Sequence, residues 1–392
     1  MSSSPIGKKI GLIANIGDIS FFTKQNLFDA TISDVIHITG GNTGNACHVQ
    51  ALEKILQYNY IQIDWTSDPS FVQERIYHIV VCASNQLGSH SDLSFWANAL
   101  QKFNLPVTVL SIGAQAESEN EFPQLEPGTL DFLKVCQDLN HSASSNIGVR
   151  GEYTHNFLSH LGIDSVVVGC PTHFISNNPK LGLDFHEKHL PERPRITVTA
   201  GNPYVSKYAA IEQKLVKLLS RYSGDYVLQH PAEFLEFASA SINDKETPES
   251  MDIFNFFNSS GLNDKESIRY FMRDRAVWFI DIGHWMQKLK RSELVIGTRY
   301  HGVTMAIQSG IPGCVYTIDT RTEELCKFTG TKYLAASIAS NLDEHALIEA
   351  SLWTPEDSLN FHQKRSHALR ILIDFLKSNS IAIPTSLELL QA

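Results

Sequence analysis

The chain has 392 residues, 43% hydrophobic and 19% charged, a length and balance that imply two globular units sharing no single core. A formal net charge of −10 excludes a general nucleic-acid binder, which needs a basic face to neutralise phosphates; a small anionic ligand needs only a few local cations. No stretch is apolar for long enough to span a bilayer, and the polar N-terminal run lacks the apolar core of a secretory signal. The six cysteines (Cys47, Cys82, Cys136, Cys170, Cys314 and Cys326) are dispersed without a CxxC pair. They read as reduced, mostly buried thiols of a cytoplasmic protein, with no zinc signature.

Short apolar runs alternate with amphipathic stretches, the βαβ rhythm of a parallel sheet. Strands are expected at 10–14, 34–38, 61–64, 78–82, 107–111, 146–149 and 165–168. A helix is expected over 46–57, where Val49, Leu52, Ile55 and Leu56 share a face, and another over 152–161, stopped by Gly162. The proline-bearing stretch 177–194 reads as a linker. The rhythm resumes with strands at 195–200, 226–229, 294–297 and 313–318, and helices at 206–222, 280–289 and 303–309. The polar, acidic stretch 243–263 is expected to be irregular, and the amphipathic segment 355–376 to pack back across both halves. The fold class expected is α/β: two Rossmann-like domains, 1–180 and 195–350, facing a cleft, with a C-terminal helix over 355–378 returning to the first. Ligands of open α/β sheets bind at the carboxyl ends of the strands.

The sharpest motif is Gly297-Thr298-Arg299-Tyr300-His301-Gly302, continuing to Gly310-Ile311-Pro312. A buried strand ends at Gly297, a tight turn follows, and a helix is expected to start near Gly302 or Val303 and stop at Gly310. Such a turn aims free backbone N–H groups and the positive end of a helix dipole at the cleft. Arg299 suits two-pronged capture of phosphate or carboxylate, and His301 can move a proton near neutrality.

This segment closely resembles the C-terminal signature of the polysaccharide pyruvyl transferases, and three further segments extend the resemblance in order along the chain. Gly40-Gly41-Asn42-Thr43-Gly44-Asn45-Ala46 is similar to the family's glycine-rich loop. Many members carry an acid where Asn45 stands, so a catalytic carboxylate is missing there. Ile147-Gly148-Val149-Arg150-Gly151, with Gly169-Cys170-Pro171 downstream, resembles the family's strand-end arginine and the glycine-x-proline strand after it. Cys170 reads as a small turn residue, since no base is evident beside it. Asp319-Thr320-Arg321 corresponds to a segment in which part of the family carries lysine in place of Arg321.

The resemblance implies a fold like that of GT-B glycosyltransferases and transfer of the pyruvyl group of phosphoenolpyruvate onto sugar hydroxyls as a ketal. Arg150, Arg299, Arg321, Asn42 and the helix start at Gly302 would hold the donor. His301 would protonate it, kept charged by a neighbouring phosphate or carboxylate. Asp319 is a weak candidate for the base. Neither cofactor nor metal is implied beyond phosphoenolpyruvate as donor. The acceptor would be a sugar, oligosaccharide or lipid-linked glycan, the last bringing the protein to the inner face of a membrane. The acceptor, the base and the oligomeric state stay open. Two alternatives also stand: a nucleotide-sugar-dependent glycosyltransferase of the same architecture, and a non-catalytic relative that binds glycans or anions.

Overall fold

The computed structural model describes residues 7–14, 16, 31–116, 120–248 and 250–391; Met1–Ile6, read above as part of the polar N-terminal run, lies outside them. The first half builds a parallel six-stranded sheet from β1 (Lys9–Ala14), β2 (Tyr60–Gln62), β3 (Ile76–Cys82), β4 (Val107–Ile112), β5 (Ile147–Val149) and β6 (Val166–Val167). Their order is β2-β1-β3-β4-β5-β6. The second half builds another from β7 (Ile196–Thr199), β8 (Tyr226–Val227), β9 (Ala276–Val277), β10 (Leu294–Gly297), β11 (Gly313–Thr317) and β12 (Tyr333–Ala335), in the order β12-β11-β10-β7-β8-β9. This is the doubly wound arrangement of a Rossmann sheet, whose direction of winding reverses between β7 and β10. Every residue of β4 and of β11 is buried, as strands covered by helices on both faces must be, which is why they read as mostly apolar runs interrupted only by small hydroxyl residues such as Thr108, Ser111 and Thr317.

Two stretches differ from the reading of the sequence. Residues 34–38, expected as a strand, belong to the helix Ile32–Ile38. Thr31 and Asp34 form a reciprocal capping box at its start, and Ile32 and Ile36, one turn apart, pack against the core of the second half. Within 243–263, expected to be irregular, the helix Met251–Ser259 buries Ile253, Phe256 and Phe257 beneath a cap from Ser250. The apolar spacing of one helical face outweighed the polar composition.

The halves are tied by the C-terminal helix Pro355–Ser378. Ala368, Leu369, Leu372, Ile373, Phe375 and Leu376 share a core with Ile10, Leu12, Val80 and Leu110 of the first sheet. Phe361, nearer its start, packs with Tyr300, Val303 and Leu325 of the second half. Arg365 donates to the carbonyls of His173, Ser176 and Asn178, fixing the stretch that leads from one sheet to the other. All six cysteines are free and buried. No helix among the described residues is long and apolar enough to cross a membrane.

Candidate active site

A cavity of about 410 Å³ opens between the two sheets and is lined from both sides. It lies at the carboxyl ends of β3, β4 and β5 in one lobe and of β8, β10 and β11 in the other, where chain reversals leave room for a ligand. Asn42, Arg150, Arg299, His301 and Arg321 all line it. Residues spread over 280 positions of sequence are thus brought together by the meeting of two sheets.

Arg150 follows β5 and is 3% exposed. Its Nε donates to the Ser111 carbonyl at 2.8 Å and its Nη2 to Ser84 Oγ at 3.0 Å, so the guanidinium is held by the ends of two neighbouring strands. Arg299 precedes the helix Tyr300–Gln308; its Nη2 donates to His230 Nε2, and its buried Nε has no partner among the described residues. Burial first, and Arg321 next, push its guanidinium down to about 10. Arg321, in the first turn of the helix Thr320–Thr329, pairs with Asp319 at 3.1 Å. Asn42 Oδ1 accepts from the Gly44 amide at 2.8 Å, which shapes the glycine-rich loop at the cavity wall.

The helix begins at Tyr300, two residues earlier than its sequence implied, and no side chain caps its start. The N–H groups of its first turn are therefore available to an anion. Gly302 does not line the cavity. A Cβ there would stand 2.5 Å from Thr199 Cγ2, so the glycine lets this helix lie against β7, and only its backbone N–H remains for a ligand. Beneath the turn, the buried Glu212 accepts from Thr298 Oγ1 at 2.5 Å and from the Gly201 amide at 3.0 Å, locking the residue before Arg299.

Without a neighbouring anion, His301 is uncharged. Burial, then Arg150, Arg321 and Arg299, drive its imidazole down to about 3, so the ligand-free ring is neutral. Its Nε2 lies 3.7 Å from Cys170 Sγ, which also accepts from Thr172 Oγ1 at 3.1 Å. Cys170 thus does have a base beside it, contrary to its reading as an isolated turn residue. Burial nonetheless raises the thiol, which stays protonated next to a neutral ring. Asp319 is also set aside as a base. It caps its helix through the Thr322 amide at 2.8 Å, pairs with Arg321 and does not line the cavity.

Sequence reasoning missed His230, Gln229 and Glu212. Gln229 and His230 line the cavity at the end of an expected strand, a position that by itself signals a ligand contact. Glu212 is an acid on the apolar face of the helix Ala209–Arg221, between Ile211 and Leu215, and that misplacement was its signal.

Fold and site together define a two-lobed α/β protein of GT-B-like architecture whose interlobe cleft concentrates guanidinium groups around an imidazole. The model of the family described as polysaccharide pyruvyl transferase matches residues 42–320, and the chain belongs to that family. A comparison with curated proteins finds no match. Among solved structures, the chain is similar to S. aureus MnaA in a co-structure with UDP (11% identity, 91% of this chain and 90% of that one, TM-score 0.45). It is also similar to the UDP-GlcNAc 2-epimerase of Methanocaldococcus jannaschii in complex with UDP-GlcNAc and UDP (12%, 93% and 99%, TM-score 0.44). A third is the wall teichoic acid polymerase TagF (11%, 95% and 89%, TM-score 0.40).

Proposed function

We propose that this protein transfers the pyruvyl group of phosphoenolpyruvate to two hydroxyls of a sugar, forming a pyruvate ketal and releasing phosphate. One observation carries the reading: Arg150 from the first lobe and Arg299 and Arg321 from the second line the same cavity as His301. A donor bearing a phosphate and a carboxylate matches three convergent cations, and the unpaired Arg299 Nε and first-turn amides add hydrogen-bond donors.

Burial is the largest cause of the depression at His301 and persists; binding of the anionic donor offsets the arginines and sets counter-charge beside the ring, which favours uptake of a proton. The imidazolium then gives that proton to the methylene carbon, and positive charge develops at the adjacent carbon. A sugar hydroxyl attacks there, forming a C–O bond and losing its proton to the neutralised imidazole or to donor phosphate. Phosphate leaves with its bond electrons, and the second hydroxyl closes the ketal by attacking the resulting cationic carbon and giving its proton to the departed phosphate. The acceptor enters as a free sugar, an oligosaccharide or a lipid-linked glycan. The arginines hold and orient the donor, and the interlobe site keeps water from the cationic centre.

Phosphate release from phosphoenolpyruvate, dependent on added acceptor sugar, tests the reading. His301→Ala is expected to lower turnover at least 100-fold with the fold retained, the scale of lost proton transfer. Near wild-type pyruvylation by that variant would refute the role of His301, and release independent of any sugar would refute the transfer.

A further inference from the structure

One buried carboxylate spans the lobes outside the cavity. Glu324 stands on the helix Thr320–Thr329, one turn after Arg321, and is 3% exposed. Both its oxygens are engaged by the other lobe: Oε2 accepts from the Thr154 amide at 3.0 Å and Oε1 from the Thr154 hydroxyl at 2.8 Å. Thr154 lies in the first turn of the helix Glu152–His160, whose start has no side-chain cap from Gly151. Glu324 therefore supplies, from across the interface, the acceptor that the opening of this helix lacks, and when ionised puts negative charge at its positive end. The Thr154 hydroxyl in turn accepts from the Ala114 amide at 3.0 Å, which extends the connection to the end of β4.

The geometry reaches the candidate donor site directly. Arg150 and the helix that Glu324 caps are separated only by Gly151, where a Cβ would stand 2.7 Å from Glu324 Cβ. Arg321 lies three residues before Glu324 on the same helix. One carboxylate thus holds the segment bearing a cation of the first lobe against the helix bearing a cation of the second. Arg150 and Arg321 repel one another across the cavity and Glu324 attracts Arg150, so this contact offsets a repulsion between the lobes at the donor site.

We propose that Glu324 is a positioning residue for anion capture: by capping the helix Glu152–His160 across the interface it fixes the spacing of Arg150 and Arg321, and so sets donor affinity without touching donor. The identity of that donor rests on the function proposed above; the spacing role does not.

The test compares wild type, Glu324→Ala, Thr154→Val, Arg150→Ala and Arg150→Ala/Glu324→Ala in the full chain. Binding of phosphoenolpyruvate and of inorganic phosphate is measured by calorimetry, and KM and kcat are measured for donor. Glu324→Ala is expected to weaken both ligands and raise donor KM about tenfold, with kcat at saturating donor within about threefold of wild type. Thr154→Val, which keeps the side-chain shape, is expected to move affinity in the same direction, and it decides the matter should Glu324→Ala fail to fold. In the Arg150→Ala background, removing Glu324 is expected to change affinity less than twofold, because the cation it positions is gone. A purely structural carboxylate would instead give additive losses, and additivity overturns the proposal. So does wild-type affinity in both single variants. A wild type that binds inorganic phosphate but not phosphoenolpyruvate refutes the donor alone, and the phosphate affinities still decide the role of Glu324.

Discussion

Donor binding is expected to draw a proton onto His301. In the free protein burial and three guanidinium groups hold the ring at about 3, so at pH 6 only about one ring in a thousand is charged. A bound donor with a carboxylate and an ionised phosphate offsets those cations. Full return of the imidazole to its ordinary value near 6.5, which requires the donor's anionic groups to outweigh burial as well as the three cations, corresponds to roughly 5 kcal/mol of coupling between donor and proton and sets the upper bound on uptake. Uptake on binding is then at most about 0.8 proton at pH 6 and about 0.2 at pH 7. Calorimetric titration of phosphoenolpyruvate in buffers of different ionisation enthalpy measures this number. His301→Gln, which cannot titrate, isolates it from protonation of the donor's own phosphate and of His230. The same uptake by wild type and His301→Gln at pH 6 would refute the argument, because the ring would not then sense the charge of the ligand.

Arg299→Met is expected to raise the thermal midpoint of the ligand-free protein, first by removing a buried guanidinium and then by relieving repulsion with Arg321, while weakening donor binding about 10- to 100-fold; differential scanning fluorimetry and calorimetry read the two effects. Gly302→Ala places a methyl group on Thr199 and is expected to cost about 1–3 kcal/mol in chemical denaturation, with loss of donor binding as the helix start lifts from β7. His173, His230 and His301 are each pushed down to about 3, chiefly by burial, so the fold excludes protons that the unfolded chain binds near 6.5. Their contribution to stability is complete above pH 6.5 and is lost as pH falls from there toward 3, by about 1.4 kcal/mol per pH unit for each histidine, and stability measured against pH is expected to show that slope. Glu324 has the opposite sign: burial raises its carboxyl to about 7, so its part of the stability declines as pH rises from about 4.5 to 7, by up to roughly 3 kcal/mol. Glu324→Gln is expected to flatten that part of the profile.

Strands such as β4, β10 and β11 were legible in the sequence because a strand buried on both faces admits little besides apolar and small hydroxyl side chains, whatever its neighbours are. The turn bearing Arg299 and His301 was legible for a related reason: Gly297, Gly310 and Pro312 punctuate a strand, a turn and a helix through local sterics. By contrast, β9 and β12 are only two and three residues within the apolar runs 276–280 and 333–336, and it is their pairing at a sheet edge, not the run, that sets which residues are extended. The helix Ile32–Ile38 was misread because its apolar face is defined by the other lobe, which local alternation cannot register.

By itself, then, the sequence determined which side chains could bear charge to an anion and where each would leave its strand or helix, since both depend on neighbours in the chain. Only the tertiary structure decided that Arg150, Arg299 and Arg321 share one cavity, that burial and then their combined field strip His301 of its proton, and that Glu324 clasps the opposite lobe. Electrostatic energy depends on distance and burial rather than on sequence separation, and those two quantities come into being when the sheets meet.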